Sequence, residues 1–125
     1  MTTELKFLSA FPIGDTDVNA LPVKEIPPAI GYYTQVLGFT VQARDANRAT
    51  LIRDAVTIGL EVNGADPEQA SIYFNVSDVE ALRAELAAKG IEPSEISVSE
   101  HAGNQYRICF AKEPYGVCFC FGQPA

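Results

Sequence analysis

The sequence contains two stretches with the same pattern, and this internal repeat constrains the fold more than any other feature. The stretches span residues 21–39 and 73–91. Each starts with a short apolar run that ends in an acidic residue and continues as a helical segment. Each then ends in a glycine, Gly38 or Gly90, followed by an apolar residue. Self-similarity at a fixed spacing indicates one strand–helix–strands module that is used twice.

Apolar periodicity predicts the order β-α-β-β-β in both modules. The first module is assigned to residues 17–63 and the second to residues 70–123. The predicted strands of the first module are 17–24, 39–44, 48–53 and 55–62. Those of the second module are 71–76, 93–98, 105–112 and 117–122. Pro27 and Pro28 suit the first turn of the first helix. Ser77 and Glu80 have the spacing of a capping box at the start of the second helix. The last two strands are predicted to meet at a turn over residues 113–116.

Residues 1–16 precede the first module as an N-terminal arm. Residues 4–13 are apolar and predicted to be extended. They either form a strand that packs on its own domain or reach over a partner subunit. The sequence leaves both alternatives open.

Composition restricts the classes of function. The 125 residues fit a single domain, and the 47% hydrophobic content is sufficient for a core. No apolar run approaches the roughly 20 residues of a membrane span, and no signal peptide is recognised, so a cytoplasmic protein is expected. The net charge is −7 and the basic residues are scattered. This pattern argues against nucleic-acid and membrane partners and favours, if any charged ligand, a cationic one.

Three motifs resemble the vicinal-oxygen-chelate superfamily, which includes glyoxalase I, extradiol dioxygenases and bleomycin-resistance proteins. They are ALPVKEIPPAIGYYTQVLGF, NVSDVEALRAELAAKG and YRICFAKEPYGVCFCFG, and the resemblance covers roughly residues 18–122. It implies an α+β fold in which two βαβββ modules form a curled mixed sheet around a cavity. It also implies a homodimer.

The same resemblance locates the positions at which metal-using members place His or Glu. These positions fall on Val18, Glu61 (or Gly59), Ser71 and Cys120. Valine offers no donor atom and serine is a poor ligand for transition metals. We therefore predict no metal site of the superfamily's type and no cofactor.

The three cysteines suggest an alternative metal site. If the last hairpin closes around residues 113–116, Cys109 lies opposite Cys120, with Cys118 on the same face. Three thiols beside Glu61 would suit a soft ion. The competing interpretation is that these cysteines are small buried residues.

Strand alternation selects the side chains that face the predicted cavity. Arg107 is interpreted either as a clamp for a ligand carboxylate or as a salt-bridge partner of Glu61 or of the turn. Tyr73 either stacks on a flat ligand or fills the cavity. Glu61 is a weak candidate for a catalytic base, and no partner acid is evident. The predicted ligand-binding set is Thr57, Glu61, Ser71, Tyr73, Asn75, Arg107, Cys109, Cys118 and Cys120.

The resemblance is greatest to the bleomycin-resistance branch, whose members lack the metal ligands, and residues 41–62 resemble the same region in them. The expected function is therefore metal-free binding or sequestration of a small molecule in a cup between the modules. The alternative is a lyase, isomerase or dioxygenase with an atypical metal set or with Glu61 as base. A third hypothesis is an interaction module whose cup is filled.

Overall fold

The computed structural model describes residues 5–14, 16–112 and 116–124. Its strands and helices follow one another in the order β1 (Phe7–Ile13), β2 (Leu21–Pro22), α1 (Ile26–Gln35), β3 (Thr40–Arg44), β4 (Arg48–Arg53), β5 (Val56–Glu61), β6 (Ser71–Val76), α2 (Val79–Ala88), β7 (Ser97–His101), β8 (Asn104–Lys112) and β9 (Cys118–Pro124). Neither helix in the described part of the chain is long and apolar enough to cross a membrane.

The repeat appears as two sheets of the same design. One has the order β2-β5-β4-β3, and the other has the order β1-β6-β9-β8-β7. In each module the first strand lies parallel to the last, with Leu21 beside Leu60 and Ser71 beside Cys118. The α+β class and the βαβββ order are confirmed. The single curled sheet is not observed, because the two sheets are separate.

Both modules turn their apolar faces into one shared core. Phe39 of the first module packs against Phe74 of the second, with ring centroids 6.0 Å apart. Tyr33 of α1 packs edge-on against Phe119 of β9 at 5.7 Å. Burial of these rings stabilises each by about 1.5–3 kcal/mol relative to exposure. The core therefore joins the modules and leaves the opposite face of each sheet outside.

The N-terminal segment forms β1, which pairs antiparallel with β6 of the same chain. Two alternatives were open for residues 4–13: packing on their own domain or reaching over a partner subunit. The described part of this segment packs on its own domain. Phe7 is fully buried, and the Arg53 guanidinium lies 4.3 Å from its ring centroid. The main-chain N–H of Phe7 donates to Asp54 Oδ2 at 2.9 Å. These contacts fix the strand at the edge of the second module's sheet.

The first module's opening strand is shorter than predicted. A strand was expected over 17–24, but only Leu21–Pro22 is extended and paired. Asp17 Oδ1 accepts a hydrogen bond from the Asn19 N–H at 2.9 Å, which makes a local turn that competes with the strand. The turn lies close against Gly59, where a Cβ atom would be 2.0 Å from the Asn19 carbonyl oxygen. Glycine at this position therefore permits the close approach.

Helix α2 begins with a different cap from the one predicted. Asp78 Oδ1 accepts from the N–H groups of Glu80 and Ala81 at 3.0 and 3.1 Å. The Ser77 hydroxyl instead accepts from the Lys6 N–H at 2.9 Å. The capping box predicted at Ser77 is therefore wrong by one residue, because that hydroxyl is engaged by the Lys6 N–H just ahead of β1.

The strand predicted at 93–98 begins later, at Ser97. Before it, the Ser94 N–H donates to the Phe110 carbonyl, and the Ser94 hydroxyl accepts from the Phe110 N–H, both at 2.8 Å. This two-way bridge holds the segment against β8 without making it a strand.

Candidate functional site

A cavity of about 700 Å³ lies on the side of the five-stranded sheet that faces away from the shared core. We call this side the outer face; it carries Ser71, Tyr73 and Asn75 of β6 and Cys118 and Cys120 of β9. All five strands of the sheet contribute to the cavity. The lining residues are Phe11, Pro12, Ile13, Tyr73, Asn75, Ser99, Tyr106, Ile108 and Cys120.

Tyr73 forms a flat aromatic surface in this cavity. A Cβ atom at Gly122 would lie 2.3 Å from the Tyr73 hydroxyl oxygen and 2.9 Å from two ring carbons, so the ring lies across β9 at a glycine. The Phe11 ring, on β1, is 6.3 Å away and inclined by 33°. Burial raises the pKa of Tyr73, and neighbouring Cys120 and Tyr106 raise it further. The phenol is therefore neutral at physiological pH and available as a hydrogen-bond donor.

Asn75 lines the cavity and carries an unsatisfied polar atom. Its Oδ1 is buried and has no hydrogen-bond partner among the described residues. A buried acceptor without a partner costs about 1–3 kcal/mol. A donor on a ligand would recover part of this free energy once the amide turned toward it.

The strand register separates the three cysteines. Cys109 pairs with Phe121, whereas Cys120 pairs with Phe110 and Cys118 with Lys112. The prediction that Cys109 lies opposite Cys120 is wrong by one residue, and one residue moves a side chain to the other face. Cys109 is fully buried in the core, while Cys118 and Cys120 lie on the outer face. Residues 113–115 of the predicted turn lie outside the described part of the chain.

The cysteine environments are reflected in the pKa values of their thiols. Burial, with neighbouring Cys109 and Cys118, raises the pKa of Cys120 to about 11. Burial also raises the pKa of Cys109, and Arg83 partly opposes this shift. All three thiols are free. Neither Cys109 nor Cys120 is a thiolate nucleophile at neutral pH.

Arg107 does not face the cavity. Its guanidinium pairs with the Glu80 carboxylate on α2, on the core side of the sheet. The predicted placement is wrong for the same reason as for Cys109, since the two residues alternate along β8 with Tyr106 and Ile108. A ligand in the cavity therefore does not meet this guanidinium.

Thr57 and Glu61 lie on the other sheet. Glu61 Oε1 accepts from Arg48 Nε at 2.9 Å and lies 2.7 Å from Arg48 Nη2. Ser71 is on the outer face, but it does not line the cavity, and its N–H donates to Thr16 Oγ1 at 2.9 Å. Of the predicted set, the cavity brings together Tyr73, Asn75 and Cys120.

The positions carried over from metal-using relatives are also dispersed. Val18 lies in the turn that precedes β2, and Glu61 is engaged by Arg48. Within the described ranges, no three His, Cys, Asp or Glu side chains lie close enough together to hold a metal ion. This includes the three thiols, which the strand register divides between two faces.

The cavity residues on β1, β7 and β8 were not predicted from the sequence. Phe11 and Ile13 alternate within the apolar arm, and this alternation would have indicated a strand with two faces. Assigning Tyr106 and Ile108 to the cavity required the correct register of the β8–β9 hairpin. Ser99 lies on a strand whose position was predicted too early in the chain.

The fold and cavity together define a small α+β protein of two βαβββ modules with a ligand-sized pocket on one sheet. The family model described as the Glyoxalase/Bleomycin resistance protein/Dioxygenase superfamily matches residues 16–121. The chain belongs to this superfamily, which confirms the resemblance seen in its motifs. Comparison with curated proteins gives no significant match.

Solved structures show the same fold at low sequence identity. A virulence protein from Salmonella typhimurium superposes with a TM-score of 0.73 at 23% identity, covering 90% of this chain and 98% of that chain. The bleomycin-binding protein of Streptomyces verticillus, solved with copper(II)-bleomycin, gives 0.67 at 20% identity over 85% and 93%. A bleomycin resistance determinant encoded on the transposon Tn5 gives 0.70 at 18% identity over 88% and 98%.

Proposed function

We propose that this protein binds a small, flat and largely uncharged organic molecule in the cavity on the outer face. The observation that carries the proposal is the ring of Tyr73, which lies across Gly122 and beside Phe11. Aromatic side chains held in this way present a flat apolar surface and contribute roughly 0.5–1.5 kcal/mol per ring pair beyond area burial.

The chemistry of the lining supports a neutral ligand. The cavity of about 700 Å³ falls within the range of small-molecule sites. None of the described lining residues is Lys, Arg, Asp or Glu. The polar groups are the hydroxyls of Tyr73, Tyr106 and Ser99 and the amide of Asn75, which suit one or two hydrogen bonds. The net charge of −7 still attracts a cation at long range, but no carboxylate lines the cavity to pair with it.

Binding is favoured over catalysis by the position of the candidate base. Glu61 lies on the four-stranded sheet, where Arg48 engages it, and it does not line the cavity. A lyase, isomerase or dioxygenase that uses Glu61 as base would need the reacting molecule at that sheet instead. Two of the similar structures are bleomycin-binding or bleomycin-resistance proteins by name, which is consistent with a binding role.

We further propose that the binding form is a homodimer. Phe11 and Ile13 are 54% and 43% exposed at the cavity edge, where a second copy would cover them. Light scattering is expected to give twice the chain mass. A monomer with full ligand affinity would remove this part of the proposal.

The test is thermal unfolding and calorimetry with a panel of neutral planar aromatic compounds, metal-free bleomycin and copper(II)-bleomycin. A ligand at 100 times its Kd stabilises the folded state by about 2.7 kcal/mol. Tyr73→Ala is expected to weaken binding at least tenfold, whereas Thr57→Ala, on the other sheet, is expected to leave it unchanged. Equal losses in the two variants, or no shift with any of the neutral compounds, would overturn the proposal.

A further inference from the structure

Two of the three thiols lie side by side on the outer face of β9. Cys118 and Cys120 are separated by one residue, and both alternate with the core residues Phe119 and Phe121. Residues two apart in a strand point to the same side, with their Cα atoms about 6.7 Å apart.

A disulfide needs Cβ atoms about 3.5–4.5 Å apart, which an extended strand does not provide at this spacing. A sulfur–metal–sulfur unit spans about 4.6 Å, which is twice a metal–sulfur bond of about 2.3 Å. Two thiols at this spacing are within reach of that span.

Both cysteines line open space at the surface of the sheet. Cys120 lines the cavity, and Cys118 lines a neighbouring groove of about 640 Å³ together with Phe110 and Lys112. Cys109 lines neither of them. An ion from solvent therefore has access to the pair but not to the third thiol.

The surroundings suit a soft, low-charge ion. Phe110 and Tyr73 are the cross-strand neighbours of Cys120 on either side, and they limit hydration of its sulfur. Lys112 is the cross-strand partner of Cys118. A lysine at this position can offset the negative charge left when two thiolates bind a monovalent ion. In the described part of the chain no third His, Cys, Asp or Glu completes a larger site. Structural zinc takes four ligands, whereas soft sulfur donors select Cu(I).

We propose that Cys118 and Cys120 form a two-coordinate site for a soft monovalent cation of the Cu(I) or Ag(I) type. Binding replaces the two thiol protons, which pass to solvent, and no electron is transferred. The site needs only the two sulfur atoms and their neighbours on β8 and β6 and requires no organic ligand, although Cys120 also lines the cavity.

The experiment is anaerobic competition for Cu(I) against a coloured chelator, with ascorbate as reductant. The metal-free wild-type chain is compared with Cys118→Ser, Cys120→Ser and Cys109→Ser. A single Cu(I) per chain is expected, with affinity reduced at least tenfold in the first two variants and changed less than twofold in Cys109→Ser. X-ray absorption at the copper edge is expected to show two sulfur neighbours and no third ligand.

Several outcomes would overturn the site. They are wild-type affinity in the double variant Cys118→Ser/Cys120→Ser, an equal loss in Cys109→Ser, or failure of the wild-type chain to compete for Cu(I). Thermal melts establish that each variant is folded. If Cys120→Ser is unstable, the test relies on Cys118→Ser, since Cys118 is only half-buried. Binding of an organic compound by metal-free Cys118→Ser is measured separately, since Cys118 does not line the cavity. Failure of one proposal is thus distinguishable from failure of the other.

Discussion

The ring of Tyr73 occupies the space that a side chain at position 122 would need. A Cβ atom at Gly122 would be 2.3 Å from the Tyr73 hydroxyl oxygen, closer than side-chain atoms approach one another. Glycine on β9 therefore sets the orientation of an aromatic residue on β6. The flat surface of the cavity depends on this absence of a side chain.

Gly122→Ala is expected to displace the Tyr73 ring, destabilise the fold by about 1–3 kcal/mol and weaken ligand binding. A double-mutant cycle with Tyr73→Ala separates the steric effect from any other, because Gly122→Ala should be nearly neutral once the ring is gone. Gly31→Ala in α1 is the control. Its Cβ would meet no atom within 4 Å, so Ala is expected to stabilise the helix by roughly 0.5–1 kcal/mol. If Gly122→Ala lowers the free energy of unfolding by the same amount in the Tyr73→Ala background as in the wild type, the steric explanation is contradicted.

Arg107→Gln is expected to leave ligand affinity within twofold of wild type, because its guanidinium pairs with Glu80 on the helix side of the sheet. The pair is substantially exposed, so the free energy of unfolding should fall by less than about 1 kcal/mol. Calorimetry and a urea titration measure the two effects. A large loss of affinity would indicate that Arg107 contacts the ligand.

Arg53→Met is expected to reduce the free energy of unfolding by about 1–3 kcal/mol. Arg53 donates to the Leu37 carbonyl and pairs with Glu85 at 2.9 Å, with only 12% of its side chain exposed. It thereby joins β4 of the first module to α2 of the second. Arg48→Met is the matched control. That side chain is 72% exposed in its pair with Glu61, so its loss should matter less than about 1 kcal/mol in urea unfolding. Equal effects would indicate that burial is not the deciding factor.

The three thiols are expected to react with an alkylating reagent in the order Cys118, Cys120, Cys109. Cys118 is half-buried, Cys120 is 7% exposed with a pKa of about 11, and Cys109 is fully buried. Peptide mapping after timed labelling of the native protein measures the order. Cys109 should be modified only on unfolding, and early labelling of Cys109 would refute the hairpin register.

The free energy of unfolding is expected to fall as the pH rises from about 9 to 11. The pKa of Cys120 is about 11 in the folded state against a usual value of 9.0, so the unfolded chain loses this proton first. The stabilisation is complete below the unfolded pKa and disappears as the pH passes the folded pKa, and it is at most on the order of 3 kcal/mol. Urea titrations at several pH values measure it. Cys120→Ser should flatten the slope but not remove it, because the pKa values of Cys109 and Tyr73 are raised in the same direction. An unchanged slope in that variant would show that Cys120 does not contribute.

Local pattern within the sequence determined the modules. The two βαβββ units, both helices and the core-facing set Ile72, Phe74 and Val76 on β6 follow from periodicity and from the repeat. These features depend on residues near one another in the chain, so the sequence alone predicts them. Tyr73 and Asn75 were placed on the correct face for the same reason.

Only the tertiary structure decided which of these faces meet. The hairpin of β8 and β9 pairs one residue away from the predicted register, and that shift moved Cys109 and Arg107 from the cavity to the core side. The strands of the two modules pair into separate sheets, which leaves Glu61 on a different sheet from Tyr73. Register and packing arise from contacts between residues distant in sequence, and a local period of two or 3.6 residues does not encode them.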